Sequence, residues 1–292
     1  MASTRRPVPL RRRNDLIVEQ IEYQRGNYYV VKDPVSLKYF RFDPEHFRVL
    51  ELLDGTRSLE DVRTQLLFDF PYVRATLADL QGVVVDLHVK GLVYSDRPGQ
   101  GWVLLERRRE TRRKRWLGLA QNILSLRLPG WDPEWTLARL HPLVRWAYRP
   151  WALTLQVAVI AAAYLLLAMQ FDAFRQNLPE FRQFFGWPNL AFMYLTLAGT
   201  KVLHELGHGL TCRHFGGECH EIGVIFLVFS PTLYCDVSDS WMLKNKWRRI
   251  AIGAAGMWVE SVISSLALFL WWFTRPGLLH HLCLNVFFVS TV

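Results

Sequence analysis

Two histidines and a glutamate stand together in the run His204-Glu205-Leu206-Gly207-His208. Residues four apart share one face of a helix, so both imidazoles can reach a single metal ion. Glu205 adjoins the first imidazole and can take a proton from a metal-activated water. This is the mechanical logic of H-E-x-x-H in zinc hydrolases. A tetrahedral catalytic site needs a third protein ligand and leaves one position for water. Ordinary residue frequencies produce the pattern in roughly one chain in a hundred of this length. Its surroundings therefore decide how it is read.

Those surroundings are apolar. The motif lies in a run from Leu190 to Cys212 that carries no charge before Lys201. Trp151 to Phe171 has no charged residue, and Ile250 to Phe273 has Glu260 alone. At ~1.5 Å per residue each can cross a ~30 Å hydrocarbon core. Leu278 to Val292 begins a fourth apolar stretch, whereas Ile222 to Pro231 is too short to span and is read as a re-entrant segment. Ionisable groups inside a bilayer are costly, and such residues are functional by default.

Loop charges give the orientation. The flank before the first span is basic, the loop at 172–189 has only Arg175 and Arg182 as cations, and Lys244, Lys246, Arg248 and Arg249 precede the third span. Positive charge thus alternates inside, outside, inside. The second span runs inward, and His204, 14 residues past Leu190, falls roughly 21 Å along it, in the cytoplasmic third. Residues 1–13 hold five Arg and no apolar stretch that could serve as a signal peptide. The expected location is the bacterial cytoplasmic membrane, multi-pass, with the N-terminus in the cytoplasm.

Other polar residues compete for places at the site. Asp236 and Asp239 follow the short apolar segment, and either can fold back as a third ligand or remain a loop acid. Glu260 can hydrogen-bond the site or form a structural pair, with Gly253 and Gly256 letting helices approach closely. His214, His220 and the pair His280-His281 are read as outside the site. Cys212, Cys219, Cys235 and Cys283 form no C-x-x-C pair and are read as free thiols.

The first 98 residues have another character. Leu16 to Tyr23 alternates as a half-buried strand does, Gly26-Asn27 turns the chain, and strands follow at Tyr28–Val31 and Lys38–Phe42. Asp43-Pro44 opens a helix ending before Gly55. Ser58-Leu59-Glu60-Asp61 is a capping-box signature, and a third helix follows Pro71 to about Leu87. Residues 1–98 therefore read as a soluble α+β, winged-helix-like domain. Residues 99–150 are a basic juxtamembrane connector, and 151–292 form an α-helical multi-pass membrane domain. The connector carries Arg107-Arg108-Arg109-Glu110-Thr111-Arg112-Arg113-Lys114-Arg115. Net charge is +9, and hydrophobic residues make up 51% of the chain. With apolar spans following, the basic run is assigned to anionic lipid rather than nucleic acid. Asp132-Pro133-Glu134 starts another helix, and Trp131, Trp135 and Trp146 suit a membrane interface.

From about Thr200 onward the sequence resembles the site-2-type intramembrane zinc metalloproteases. The resemblance rests on His204-Glu205-Leu206-Gly207-His208, Gly216-Gly217, Ser230-Pro231-Thr232 and the glycine-rich third span. More narrowly it looks like the peptide zinc metalloprotease branch. There a PqqD-like peptide-binding module precedes the protease, and a secretion-adaptor-like portion often follows. Tyr29 to Phe42, with Asp33-Pro34-Val35-Ser36-Leu37, and Leu53-Asp54-Gly55 resemble that module. The resemblance implies Zn2+ held by His204 and His208, Glu205 as catalytic base, and a peptide or protein substrate. It also implies β-augmentation along an edge within Leu16 to Val31. The family's third ligand is an aspartate in an Asn-Pro…Asp-Gly type motif on a later membrane segment. No such motif occurs here, and the chain stops about where its run-up is expected. The resemblance thus implies a fragment of a longer protein or a truncated relative.

Overall fold

The computed structural model describes residues 5–23, 26–95, 125–128, 130–176, 178, 186–187, 189–227 and 230–291. The Pro98–Gly101 linker and the basic run from Arg107 to Arg115 lie outside the described residues. The chain forms two compact units, one of residues 1–122 with Trp241–Lys244, the other of 123–240 with 245–292.

In the first unit, β1 (Leu10–Arg12) pairs antiparallel with β5 (Val93–Ser95). A separate antiparallel sheet has the order β2 (Ile17–Tyr23), β3 (Gly26–Asp33), β4 (Lys38–Phe42). Gly26 and Asn27, expected to turn the chain, belong instead to β3, with Gly26 paired to Tyr23. β3 is the central strand, so within Leu16 to Val31 only β2 offers an edge. Successive side chains on a strand point to opposite faces. Val31 accordingly joins the main core while its neighbour Val30 joins a smaller cluster with Ile21 and Tyr28.

Three helices cover the Val31 face: α1 (Pro44–Leu52), α2 (Leu59–Asp69) and α3 (Leu77–Val89). Asp43 is the N-cap of α1, but its side chain makes no capping bond. Ser58 and Asp61 form the expected capping box of α2. A second box, Thr76 with Asp79, sets the start of α3 six residues later than Pro71 suggests. The core joins Leu50, Val62, Leu66, Leu80, Leu87 and Leu92, all at most 2% exposed. The β1–β5 ribbon escapes sequence reading because three residues are too few to display alternation.

The turn between β3 and β4 is held by Asp33, which is buried. Its carboxylate accepts from Arg13 Nη2 at 2.8 Å, Val35 N at 3.1 Å and Ser36 Oγ at 2.7 Å. Burial pushes its pKa up, but these donors outweigh burial and hold it below the usual carboxylate value.

The second unit begins with β6 (Ser125–Arg127), inside the segment read as connector. Next come α4 (Glu134–Val144), a 3-10 turn at Arg145–Tyr148, α5 (Pro150–Met169) and the short α6 (Phe171–Gln176). The 26-residue α7 (Asn189–His214) follows. Then come β7 (Ile222–Leu227), β8 (Ser230–Cys235), α8 (Lys246–Phe273) and α9 (Leu278–Thr291). Asp132 Oδ1 accepts from Glu134 N at 2.9 Å, so the expected start of α4 is real.

The segment read as re-entrant is instead a β-hairpin. β7 pairs antiparallel with both β6 and β8, giving the sheet order β6-β7-β8. Pairing satisfies its backbone groups, which an isolated apolar loop could not do. Among the described residues two helices, α5 and α8, are long and apolar enough to cross a membrane. The helix α7 has the length, but Lys201, His204, Glu205, His208 and Arg213 lower its apolarity. Only 14 residues of the fourth apolar stretch are helical. Helix α8 packs against α5, α7 and α9, and α7 also packs against α9.

Candidate metal centre

His204 and His208 lie one turn apart on α7, and their Nε2 atoms are 3.1 Å apart. Two nitrogens bound to one zinc at ~2.0–2.1 Å and the tetrahedral angle are separated by about 3.3 Å. The pair therefore fits a shared metal ion. Helix α8 fixes the far side of each ring. The Ile252 carbonyl lies 2.6 Å from His208 Nδ1. Only a protonated Nδ1 can donate to it, which leaves the His208 Nε2 lone pair facing His204.

His204 Nδ1 is buried. Glu260 Oε2 lies 3.2 Å away, close enough for an ion pair but outside hydrogen-bond angles, so the nitrogen has no hydrogen-bond partner among the described residues. Glu260 is only 8% exposed, and its other oxygen accepts from Lys201 Nζ at 2.7 Å. A carboxylate beside Nδ1 favours a proton there, which turns the His204 Nε2 lone pair toward His208 as well. Two lone pairs facing at 3.1 Å repel unless a proton or a metal ion lies between them. The orphaned Nδ1 and the facing Nε2 atoms are what a ligand pair with a carboxylate behind it looks like.

Close helix contact makes this possible. A Cβ on Gly256 would overlap the His204 imidazole. A Cβ on Gly207 would sit 2.9 Å from Val259 Cγ2. Gly253, expected to serve the same close approach, has nothing within 4 Å of its Cβ position. On α8, Gly256 is thus the glycine the histidine needs, and Gly253 is not.

Glu205, next to the first histidine, is half-buried and lies beside the backbone of Cys235 at the end of β8. The sheet reaches α7 through a small apolar cluster. Leu137 of α4, Cys219 and Ile222 are buried there beside Leu206, Leu210 and Cys235. Tyr234 and Arg127 both engage Glu221, tying the strands together.

The acids considered as third ligand have local duties. Asp236 Oδ1 accepts from Ser238 N at 3.0 Å, and the buried Asp239 accepts from Glu218 N at 2.8 Å. Among the described residues no group of three or more His, Cys, Asp or Glu converges to hold a metal. The residues present would supply a metal with two ligands and a supporting carboxylate.

His214 and His220, read as outside the site, are engaged in local contacts. His214 stacks on Tyr148 and lies 3.2 Å from His141 Nε2. His220 stands between Asp132 and Glu218. None of the four cysteines is in a disulfide. Sequence reading missed the partnership of Lys201 with Glu260 and the approach of Cys235 to Glu205. One signal was available: Lys201 and Glu260 are opposite charges, each isolated in an apolar run. Compared with known proteins, the chain matches no family model, no curated sequence and no solved structure.

Proposed function

We propose that this chain carries the zinc-binding helix of a membrane-embedded zinc metalloendopeptidase whose N-terminal domain recruits the peptide. The observation that carries the reading is the pair of imidazole nitrogens facing at 3.1 Å. One ring is oriented by a backbone carbonyl and the other is backed by a buried carboxylate.

His204 and His208 would hold zinc. Bound there, zinc would supply Lewis-acid polarisation of a peptide carbonyl and acidify a water. Glu205 takes the proton from that water and returns it to the leaving amine. The Cys235 backbone lies beside the Glu205 carboxylate. Lys201 anchors Glu260, and Glu260 keeps the His204 ring turned toward His208.

The membrane setting is supported by α5. It is apolar all round, yet only 11% of its apolar window is buried. Exposed apolar surface of that extent is stable when lipid covers it. Trp131, Trp135, Trp146 and Trp151 are also exposed, as interface residues are. We read α7 as a third crossing whose Lys201, His204 and His208 face α8, with a multi-pass arrangement in a bacterial cytoplasmic membrane. Peptide recruitment would use the edge of β2, and a secretion adaptor is the further partner in this reading.

A second reading is a non-catalytic peptide-handling or export component. It is favoured by the absence of a converging third ligand among the described residues. Metal analysis separates the two. One zinc per chain should bind, and His204→Ala or His208→Ala should empty the site. Glu205→Gln should keep zinc and slow peptide cleavage by ~10²–10⁴-fold. Zinc-free protein would leave the non-catalytic reading.

A further inference from the structure

The two sulfurs of Cys219 and Cys235 lie 3.2 Å apart. We propose that they form a dithiol that closes reversibly into a disulfide by exchange with a small-molecule disulfide such as oxidised glutathione. The sulfurs come from different segments. Cys219 follows the end of α7, and Cys235 ends β8, 16 residues further along. Strand pairing presents Cys235. Cys235 is in register with Ile222, and Asp236 N donates to Glu221 O at 2.8 Å. Bond formation at ~2.05 Å therefore asks the sulfurs to close by only about 1 Å, which side-chain rotation can supply.

The other two thiols are placed elsewhere. Cys212 Sγ lies 3.8 Å from the Glu218 carbonyl, and Cys283 is buried in the cluster of α8 and α9. Exposure sets the order of events. Cys219 is 1% exposed, whereas Cys235 is partly open. Cys235 loses its proton and attacks one sulfur of the incoming disulfide. The S–S bond breaks, and the displaced thiolate takes up the proton. The Cys219 sulfur then attacks the Cys235 sulfur, its proton leaving with the second small thiol. Two protein thiols and one disulfide give one protein disulfide and two small thiols, so atoms and electrons balance.

The bond would brace a sensitive place. A Cβ on Gly209 of α7 would lie 3.4 Å from Cys235 Sγ, and the Cys235 backbone lies beside Glu205. Closing the pair pins this end of the sheet to the segment that follows the histidine-bearing helix. The proposal stands independently of zinc and of catalysis, because its test reads covalent state.

The full chain in detergent is equilibrated with glutathione buffers of increasing oxidised fraction. It is then acid-quenched, denatured, alkylated, digested and analysed by mass spectrometry. The expected result is a Cys219–Cys235 linked peptide as the dominant crosslink, lost on adding dithiothreitol, with Cys212 and Cys283 alkylated. In Cys219→Ser, or in Cys235→Ser, the remaining partner should be recovered without a crosslink to Cys212. Circular dichroism checks that each variant is folded. Four alkylated thiols at every ratio would overturn the proposal. So would crosslinks spread over Cys212, or a glutathione adduct at Cys235 that Cys219 never resolves.

Discussion

At Gly256 the His204 imidazole occupies the space a side chain would need. Gly256→Ala should therefore push the ring away from His208 or the helices apart. Overpacking of this kind costs ~1–3 kcal/mol, and zinc content should fall with it. Gly253→Ala is the matched control on the same helix. Its Cβ meets nothing within 4 Å, and alanine is the better helix former by ~1 kcal/mol. Zinc binding and thermal unfolding in detergent should be unchanged or slightly improved. Equal damage from both variants would mean that glycine matters for helix flexibility and not for the histidine. Asp33 supports a residue-scale prediction in the first unit. Burial raises its pKa, but donation from Arg13, Ser36 and Val35 lowers it further. A depressed folded pKa gives stability that is present above the unfolded value of 3.8 and lost as pH falls through the folded value. Asp33→Asn should cost ~2–4 kcal/mol near neutrality by leaving Arg13 without its buried partner. It should also flatten the acid limb of stability below about pH 4, read by urea unfolding across pH.

Among the elements, the first three helices and the strands beside them are nearly self-specifying. Capping boxes at Ser58 and Thr76 start α2 and α3, and the core between them is continuous. Residues 1–98 expressed alone should fold and give a dispersed amide NMR spectrum. Ser58→Ala and Thr76→Ala should each lower the stability of that fragment by ~1 kcal/mol. Poor dispersion would show that these elements depend on the rest of the chain. The hairpin of β7 and β8 is the contrary case. Its apolar run suits a strand or a short buried helix segment equally by periodicity. Pairing with β6, almost a hundred residues earlier in sequence, selects the strand.

For the whole molecule, the prediction concerns direction across the bilayer. Cations crowd the flank before α5 and the segment before α8, while residues 172–189 hold only Arg175 and Arg182. The positive-inside bias then puts the N-terminus in the cytoplasm. A periplasm-active reporter fused at residue 180 should be active, and the same reporter at residue 95 should be silent. The reverse pattern would overturn this topology and place the histidine pair in the opposite half of the membrane.

Local chemistry was readable from the chain. The spacing of His204 and His208 puts them on one face because a helix repeats every 3.6 residues. The Ser58 box is visible because a cap needs a donor and an acceptor only three residues apart. The apolar runs of α5 and α8 announce themselves by length. Most of what the sequence left open involved partners distant in the chain. Glu260 as support for His204, Gly256 as the space for its ring, and the Ile252 carbonyl that sets the His208 tautomer all come from α8. Cys235 reaches Glu205 only because the sheet packs against α7. Asp236 and Asp239 looked free to ligate until folding turned each toward a backbone N–H nearby. Spacing along one helix is fixed by bond geometry, whereas which helix faces which is fixed by packing across the whole unit, and that is why only the tertiary structure decided it.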